Sequence, residues 1–77
     1  MSKKALAIKR YLENECSDYW LVKEEKGIIK CFFIDKLRFS ITKEDGDWYI
    51  SGKEIPLDMA SEIFNILYTW KGEIIWV

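Results

Sequence analysis

Residues 19–51 read YWLVKEEKGIIKCFFIDKLRFSITKEDGDWYIS, and this stretch decides the fold. Along it, apolar and polar side chains alternate with a period of two, which is typical of β-strands. Three turn signals, Lys26-Gly27, Asp35-Lys36 and Asp45-Gly46, divide the stretch into four short segments. The pattern therefore predicts a four-stranded antiparallel meander.

An amphipathic helix is predicted before the meander. Ser2 is a suitable N-cap, and Ala5, Ile8 and Leu12 recur at helical spacing behind it. The charged side chains of this segment fall on the rest of the helix surface. We expect a helix of about four turns that buries one face.

A second helix is predicted after the meander, over residues 57–70. Pro56 suits its first turn and Gly72 its end, and residues 73–77 follow as a short terminal strand or tail. A chain of 77 residues is too short for two domains. The sequence thus predicts a single α+β domain over residues 1–77, with the C-terminal helix packed on one sheet face.

The turns also predict which side chains share a face of the sheet. Directly opposed residues lie on the same face, and the three turns set Leu21 opposite Phe32 and Phe32 opposite Phe39. The face that the helices cover is then expected to carry Tyr19, Leu21, Ile28, Phe32, Ile34, Leu37, Phe39, Ile41, Trp48 and Ile50.

The opposite face is predicted to be apolar over half its area. Its candidate interaction residues are Trp20, Val22, Ile29, Cys31 and Phe33, rimmed by Arg38 and Tyr49. An antiparallel sheet with one solvated face should be polar there, so two interpretations stay open. Residues 74–77 or a helix cover these side chains, or they form a docking surface for another protein or a second copy.

The sequence offers little for catalysis. It contains no His, the commonest general base, and its acidic residues fall at predicted turns and on helix surfaces. Cys16 and Cys31 lack zinc-site spacing, and we expect both to be reduced core residues. No apolar run reaches the roughly 20 residues of a membrane span. We expect a non-catalytic cytoplasmic protein without a metal or other cofactor, and no small-molecule substrate is inferred.

The charge distribution leaves nucleic acid as the second hypothesis. Twelve basic and thirteen acidic residues give a net charge of −1, which argues against general attraction to nucleic acid. The first ten residues nevertheless hold Lys3, Lys4, Lys9 and Arg10 and no acid. Together with strand aromatics they could contact phosphates and bases. The preferred hypothesis is a protein-protein interaction module of the regulator, inhibitor or adaptor type, which also includes self-association.

Overall fold

A helix, four strands and a second helix follow one another in this computed structural model, which describes residues 1–52 and 55–69. The predictions for residues 70–77, namely the last helical residue, the Gly72 stop, the terminal strand or tail and its covering role, lie outside the described residues. The elements are α1 Lys3–Arg10 with a π-helical continuation Tyr11–Cys16, β1 Trp20–Glu25, β2 Ile28–Phe33, β3 Lys36–Glu44, β4 Asp47–Gly52 and α2 Leu57–Thr69.

The N-terminal helix begins where the sequence predicts. The Ser2 hydroxyl accepts a hydrogen bond from the Ala5 N–H at 3.1 Å, which satisfies one of the free donors of the first turn. At its far end the Ser17 N–H donates to the Leu12 carbonyl at 3.0 Å, five residues back, as in a π-helix. Despite this widening, Ala5, Ile8 and Leu12 all face inward and are fully buried.

The predicted antiparallel meander is confirmed, with strand order β1-β2-β3-β4. Each hairpin closes through two residues with positive φ, the signature of a type I′ turn. The turn pairs are Lys26-Gly27, Ile34-Asp35 and Asp45-Gly46, with φ between 52° and 87°. The first and third turns lie where the sequence predicts, but the second lies one residue earlier.

The pairing of β2 with β3 differs from the prediction. Phe32 pairs with Leu37, whereas Cys31 pairs with Phe39, so Arg38 is one extra residue in β3. Such a β-bulge interrupts the alternation of side chains along the bulged strand. The predicted pairing of Phe32 with Phe39 is therefore wrong.

This change inverts half of the predicted face assignment. A shift of one residue in the pairing register moves all the apolar side chains of a strand to the other face of the sheet. Here the shift lies between β2 and β3, so the side chains of β1 and β2 that were predicted to face the helices lie on the other face. Phe39 and Ile41 are buried beneath the helices as predicted, but Val22 and Cys31 join them in place of Leu21 and Phe32. The buried core consists of Ala5, Ile8, Leu12, Val22, Ile29, Cys31, Phe39, Ile41, Ile63 and Leu67.

Both helices pack on the face that carries Val22, Cys31, Phe39 and Ile41, which we call the covered face. The other side is called the open face, and no helix among the described residues packs against it. The predicted contact of the C-terminal helix with one sheet face is thus confirmed.

Side chains from the helical layer also occupy the two outer edges of the sheet. On β1 the Val22 N–H donates to a Glu13 carboxylate oxygen at 2.9 Å. On β4 the Trp48 N–H donates to the Tyr68 hydroxyl at 2.8 Å. These contacts fill backbone donors that an edge strand otherwise presents to solvent.

Candidate functional site

The apolar side chains predicted as a docking surface do not lie together on an exposed face. Val22, Ile29 and Cys31 are buried in the core between the sheet and the helices. Burial raises the pKa of the Cys31 thiol to about 12, as expected for an ionisable group that water cannot reach. Their predicted placement on the uncovered face of the sheet is wrong, because with the bulge this side of β1 and β2 faces the helices.

Trp20, Phe33 and Arg38 do lie together, but at one end of the covered face. Phe33 is the centre of the group, since its ring centroid is 5.0 Å from that of Trp20 and 5.7 Å from the Arg38 Cζ. All three side chains are half-buried. They line a cavity of about 440 Å³ together with Cys16, Ser17, Pro56 and Met59.

Cys16 and Tyr49 are the remaining residues to compare with the prediction. Cys16, expected in the core, is exposed at the mouth of the cavity. Burial, followed by the hydrogen bond with Cys16, raises the pKa of the neighbouring Tyr11 phenol to about 12. Tyr49 lies opposite Thr42 on the open face, as predicted, but Arg38, its predicted neighbour at the rim, lies on the covered side.

The four basic residues of the first helix do not all face outward. Lys9 forms an ion pair with Glu13 at 2.8 Å. The Lys4 ammonium donates a hydrogen bond to the carbonyl of Leu67 near the end of α2, and cations are favourable at that end of a helix. Only Lys3 and Arg10 of the predicted nucleic-acid set are exposed. Two members of the predicted basic patch therefore serve the packing of their own chain.

The open face carries an apolar cluster that the sequence pattern predicted for the core. Leu21, Phe32 and Leu37 form a row across three strands, and Ile34 lies in the turn at its end. We call these four residues the open-face cluster. The Tyr19 carbonyl accepts a hydrogen bond from the Ile34 N–H at 3.2 Å, but the Tyr19 ring packs edge-on against Phe33 of the covered face, with centroids 6.1 Å apart. Phe32 is half-buried, whereas the other three are 42% (Leu21), 57% (Ile34) and 52% (Leu37) exposed.

Ile34 has an unusual backbone conformation within this cluster. It lies in the second turn with φ of 52°. Positive φ is rare for a β-branched side chain, which clashes with its own backbone there, and costs about 1 to 2 kcal/mol. The hairpin thus holds a strained, exposed isoleucine where glycine or asparagine would fit without strain.

A positively charged row borders the open-face cluster. Lys23 lies directly opposite Lys30 on the same face, and like charges in opposed positions destabilise a sheet. The Lys30 ammonium binds Glu25 at 2.9 Å, and this hydrogen bond lowers the pKa of the Glu25 carboxyl. The Lys23 ammonium lies 5.8 Å from the Phe32 ring centroid. Two lysines against one glutamate leave an excess of positive charge beside the apolar row.

Comparison with known proteins gives no information about these sites. The chain matches no family model, no curated protein and no solved structure. Within residues 1–52 and 55–69, no three His, Cys, Asp or Glu side chains are grouped so that they could hold a metal ion. No helix of the described part is long and apolar enough to cross a membrane.

Proposed function

We propose that this protein is a non-catalytic interaction module that docks another protein on the open-face cluster. The observation that carries the proposal is the exposure of Leu21, Ile34 and Leu37 at one end of the sheet, where Phe32 lies between Leu21 and Leu37. Single exposed apolar residues are normal, but contiguous ones mark contact surfaces, since covering them releases water at a gain of roughly 25 cal/mol per Å².

The strained turn supports the same interpretation. Ile34 projects an apolar side chain at a hairpin tip at the expense of an unfavourable φ. Local strain at an exposed position is typical of binding sites, where the gain comes from the complex. We therefore assign Ile34 as the anchor of the contact.

The charge beside the cluster indicates the chemistry of the partner. A partner that carries acidic side chains next to apolar ones would neutralise the charges of Lys23 and Lys30 while it covers the open-face cluster. We therefore propose a partner segment that combines aliphatic and acidic residues, such as one face of an amphipathic helix.

A second copy of the chain fits this surface less well. Face-to-face contact would bring two copies of the same positive row into one interface, where like charges repel.

The proposal also includes a cytoplasmic location. The observation in its favour is that Cys16 and Cys31 are both free thiols, as is usual in a reducing compartment. Binding to nucleic acid through the first helix is less well supported, because Lys4 and Lys9 contact their own chain.

Site-specific photocrosslinking in the cells that produce the protein tests the docking proposal. Benzoylphenylalanine is placed at position 37 in the cluster, or at position 57, where the exposed Leu57 of α2 serves as the matched control. We expect a discrete adduct with one other protein from position 37 only. The crosslinked peptide should contain aliphatic and acidic residues.

A second variant tests whether the contact can be lost while the protein stays folded. Ile34→Asn removes the apolar anchor but suits positive φ, so the hairpin should persist and melting should stay cooperative. The adduct should then disappear. Equal adducts from positions 37 and 57, or an adduct unaffected by Ile34→Asn, would contradict the proposal. An adduct between two copies of the chain would replace the proposed partner by self-association.

A further inference from the structure

The open-face cluster and the cavity lie at the same end of the sheet, on its two faces. Trp20 pairs with Phe33 on the side of the cavity. The next pair along the ladder, Leu21 with Phe32, belongs to the open-face cluster. Because neighbouring pairs of a ladder point to opposite faces, this end of β1 and β2 is apolar on both sides.

Tyr19 connects the two surfaces at the end of the sheet. Its carbonyl accepts a hydrogen bond from the N–H of Ile34, a member of the open-face cluster, at 3.2 Å. Its ring packs edge-on against Phe33 in the wall of the cavity, with centroids 6.1 Å apart. The side chain of Tyr19 is 68% exposed between them. Apolar surface therefore continues from the open-face cluster to the cavity around the second hairpin.

The size of stable interfaces also favours contact beyond the open-face cluster. Such interfaces contain about 20 to 30 residues on each side, whereas the cluster contributes four. On the side away from the hairpin, the cluster meets the charged pair of Lys23 and Lys30. Apolar contact can extend in the other direction, around the hairpin to the cavity. Binding energy is typically concentrated where an aromatic side chain of one partner fills a pocket of the other.

The walls of the cavity favour an aromatic side chain. The Trp20 and Phe33 rings meet at 52°, with centroids 5.0 Å apart, and Met59 adds a thioether from α2. A third ring packs well against such walls, since aromatic rings attract one another in tilted arrangements and also attract thioether sulfur. The volume of about 440 Å³ leaves room for one such side chain, because cavities of roughly 300 Å³ and more hold whole small molecules.

We propose that the partner docked on the open-face cluster also inserts an aromatic side chain into this cavity, which rests on the docking proposed above. The aliphatic and acidic residues of the partner lie on the open face. Its aromatic residue lies in an extension of the same segment that passes Tyr19, and the ring enters between the Trp20–Phe33 wall and Met59. The two surfaces are then parts of one site that wraps around the second hairpin.

Photocrosslinking from the mouth of the cavity tests this assignment. Benzoylphenylalanine replaces the exposed Cys16, and the adducts are compared with those from position 37 in the open-face cluster and from position 57. We expect positions 16 and 37 to give adducts with the same protein, and position 57 to give none. The peptide crosslinked to position 16 should contain an aromatic residue.

A variant that fills the cavity tests whether both contacts belong to one site. Met59→Trp places a ring in the cavity and should lower the yield of the position-37 adduct about tenfold or more, because the partner loses its anchor. Leu57→Trp is the matched control. It adds the same ring on the exposed side of α2, about 200° around the helix from Met59, and should leave the yield unchanged. If Met59→Trp does not melt cooperatively, Tyr19→Ala replaces it and should lower the yield about fivefold.

The results separate a wrong assignment of the cavity from a wrong docking site. An adduct from position 37 without one from position 16, or a position-37 yield that Met59→Trp leaves unchanged, would overturn the role of the cavity alone. Adducts with two different proteins, or a position-16 peptide without an aromatic residue, would do the same. If position 37 gives no adduct, the docking itself is wrong and the role of the cavity falls with it.

Discussion

A matched pair of alanine substitutions distinguishes the two faces of the sheet. Ile29 and Leu37 each lose three carbon atoms on replacement by Ala, and both lie within strands. They differ in exposure, since Ile29 on the covered face is 1% exposed and Leu37 on the open face is 52% exposed. The difference in their effect on stability therefore measures how much of each side chain the fold buries.

The expected losses follow from that burial. Removing three fully buried carbons costs roughly 2 to 3 kcal/mol in transfer free energy, and the cavity left behind raises the loss for Ile29→Ala to about 3 to 4 kcal/mol. Leu37→Ala removes atoms that are half in water and leaves no enclosed cavity, so we expect about 1 kcal/mol.

Urea denaturation followed by fluorescence measures both losses. A domain of this size has a total stability of about 4 to 12 kcal/mol, so Leu37→Ala should remain folded in the absence of denaturant, and Ile29→Ala should do so unless the parent lies at the lower end of this range. With a slope of about 1 kcal/mol per molar urea, the midpoint should fall by about 3 M for Ile29→Ala and about 1 M for Leu37→Ala. Equal losses, or a larger loss for Leu37→Ala, would refute the register of β2 against β3.

Three further outcomes are expected. Gly52→Ala should destabilise the fold by about 1 to 3 kcal/mol in thermal melting, because a Cβ there would lie 2.5 Å from the Phe39 Cβ. Burial raises the pKa of the Cys31 thiol from 9.0 to about 12, so its stabilising contribution is complete below pH 9.0 and is lost as the pH rises toward 12, which urea titrations across this range measure. Tyr68→Phe should cost about 1 kcal/mol and increase self-association in sedimentation, because it uncovers a backbone donor on β4.

Each of these outcomes has a clear contrary result. An unchanged melting temperature in Gly52→Ala would mean that β3 and β4 can separate at this point without cost. Stability that does not fall above pH 9.0 would place the Cys31 thiol in contact with water. A Tyr68→Phe variant that is as stable and as monomeric as the parent would show that the edge contact contributes nothing.

Much of the fold could be predicted because its signals are local. The Ser2 cap, the Lys26-Gly27 and Asp45-Gly46 turns and the Pro56 helix start each depend on a few neighbouring residues, and all are found. Their chemistry suits the backbone that they adopt, since glycine accepts positive φ and serine accepts a hydrogen bond from a helix N–H.

The second hairpin could not be predicted in the same way. Its turn uses Ile34 at positive φ, against the preference of a β-branched residue, so the pattern favoured Asp35-Lys36 instead. The bulge at Arg38 places Cys31 opposite Phe39, a pairing between strands that no short stretch of sequence reveals. The inverted half of the sheet follows from these two features.

The contacts of Glu13 and Tyr68 with the outer strands limit how another chain can pair with the edges of this sheet. On each edge one backbone donor is already bonded, so a strand that approached there would have to displace a side chain before it could extend the ladder. Strand addition at these two positions is thereby disfavoured. If a partner docks on the open-face cluster, as we propose, it is recognised by side chains rather than by backbone groups, so substitutions at a few surface positions would change the partner while the fold stays the same.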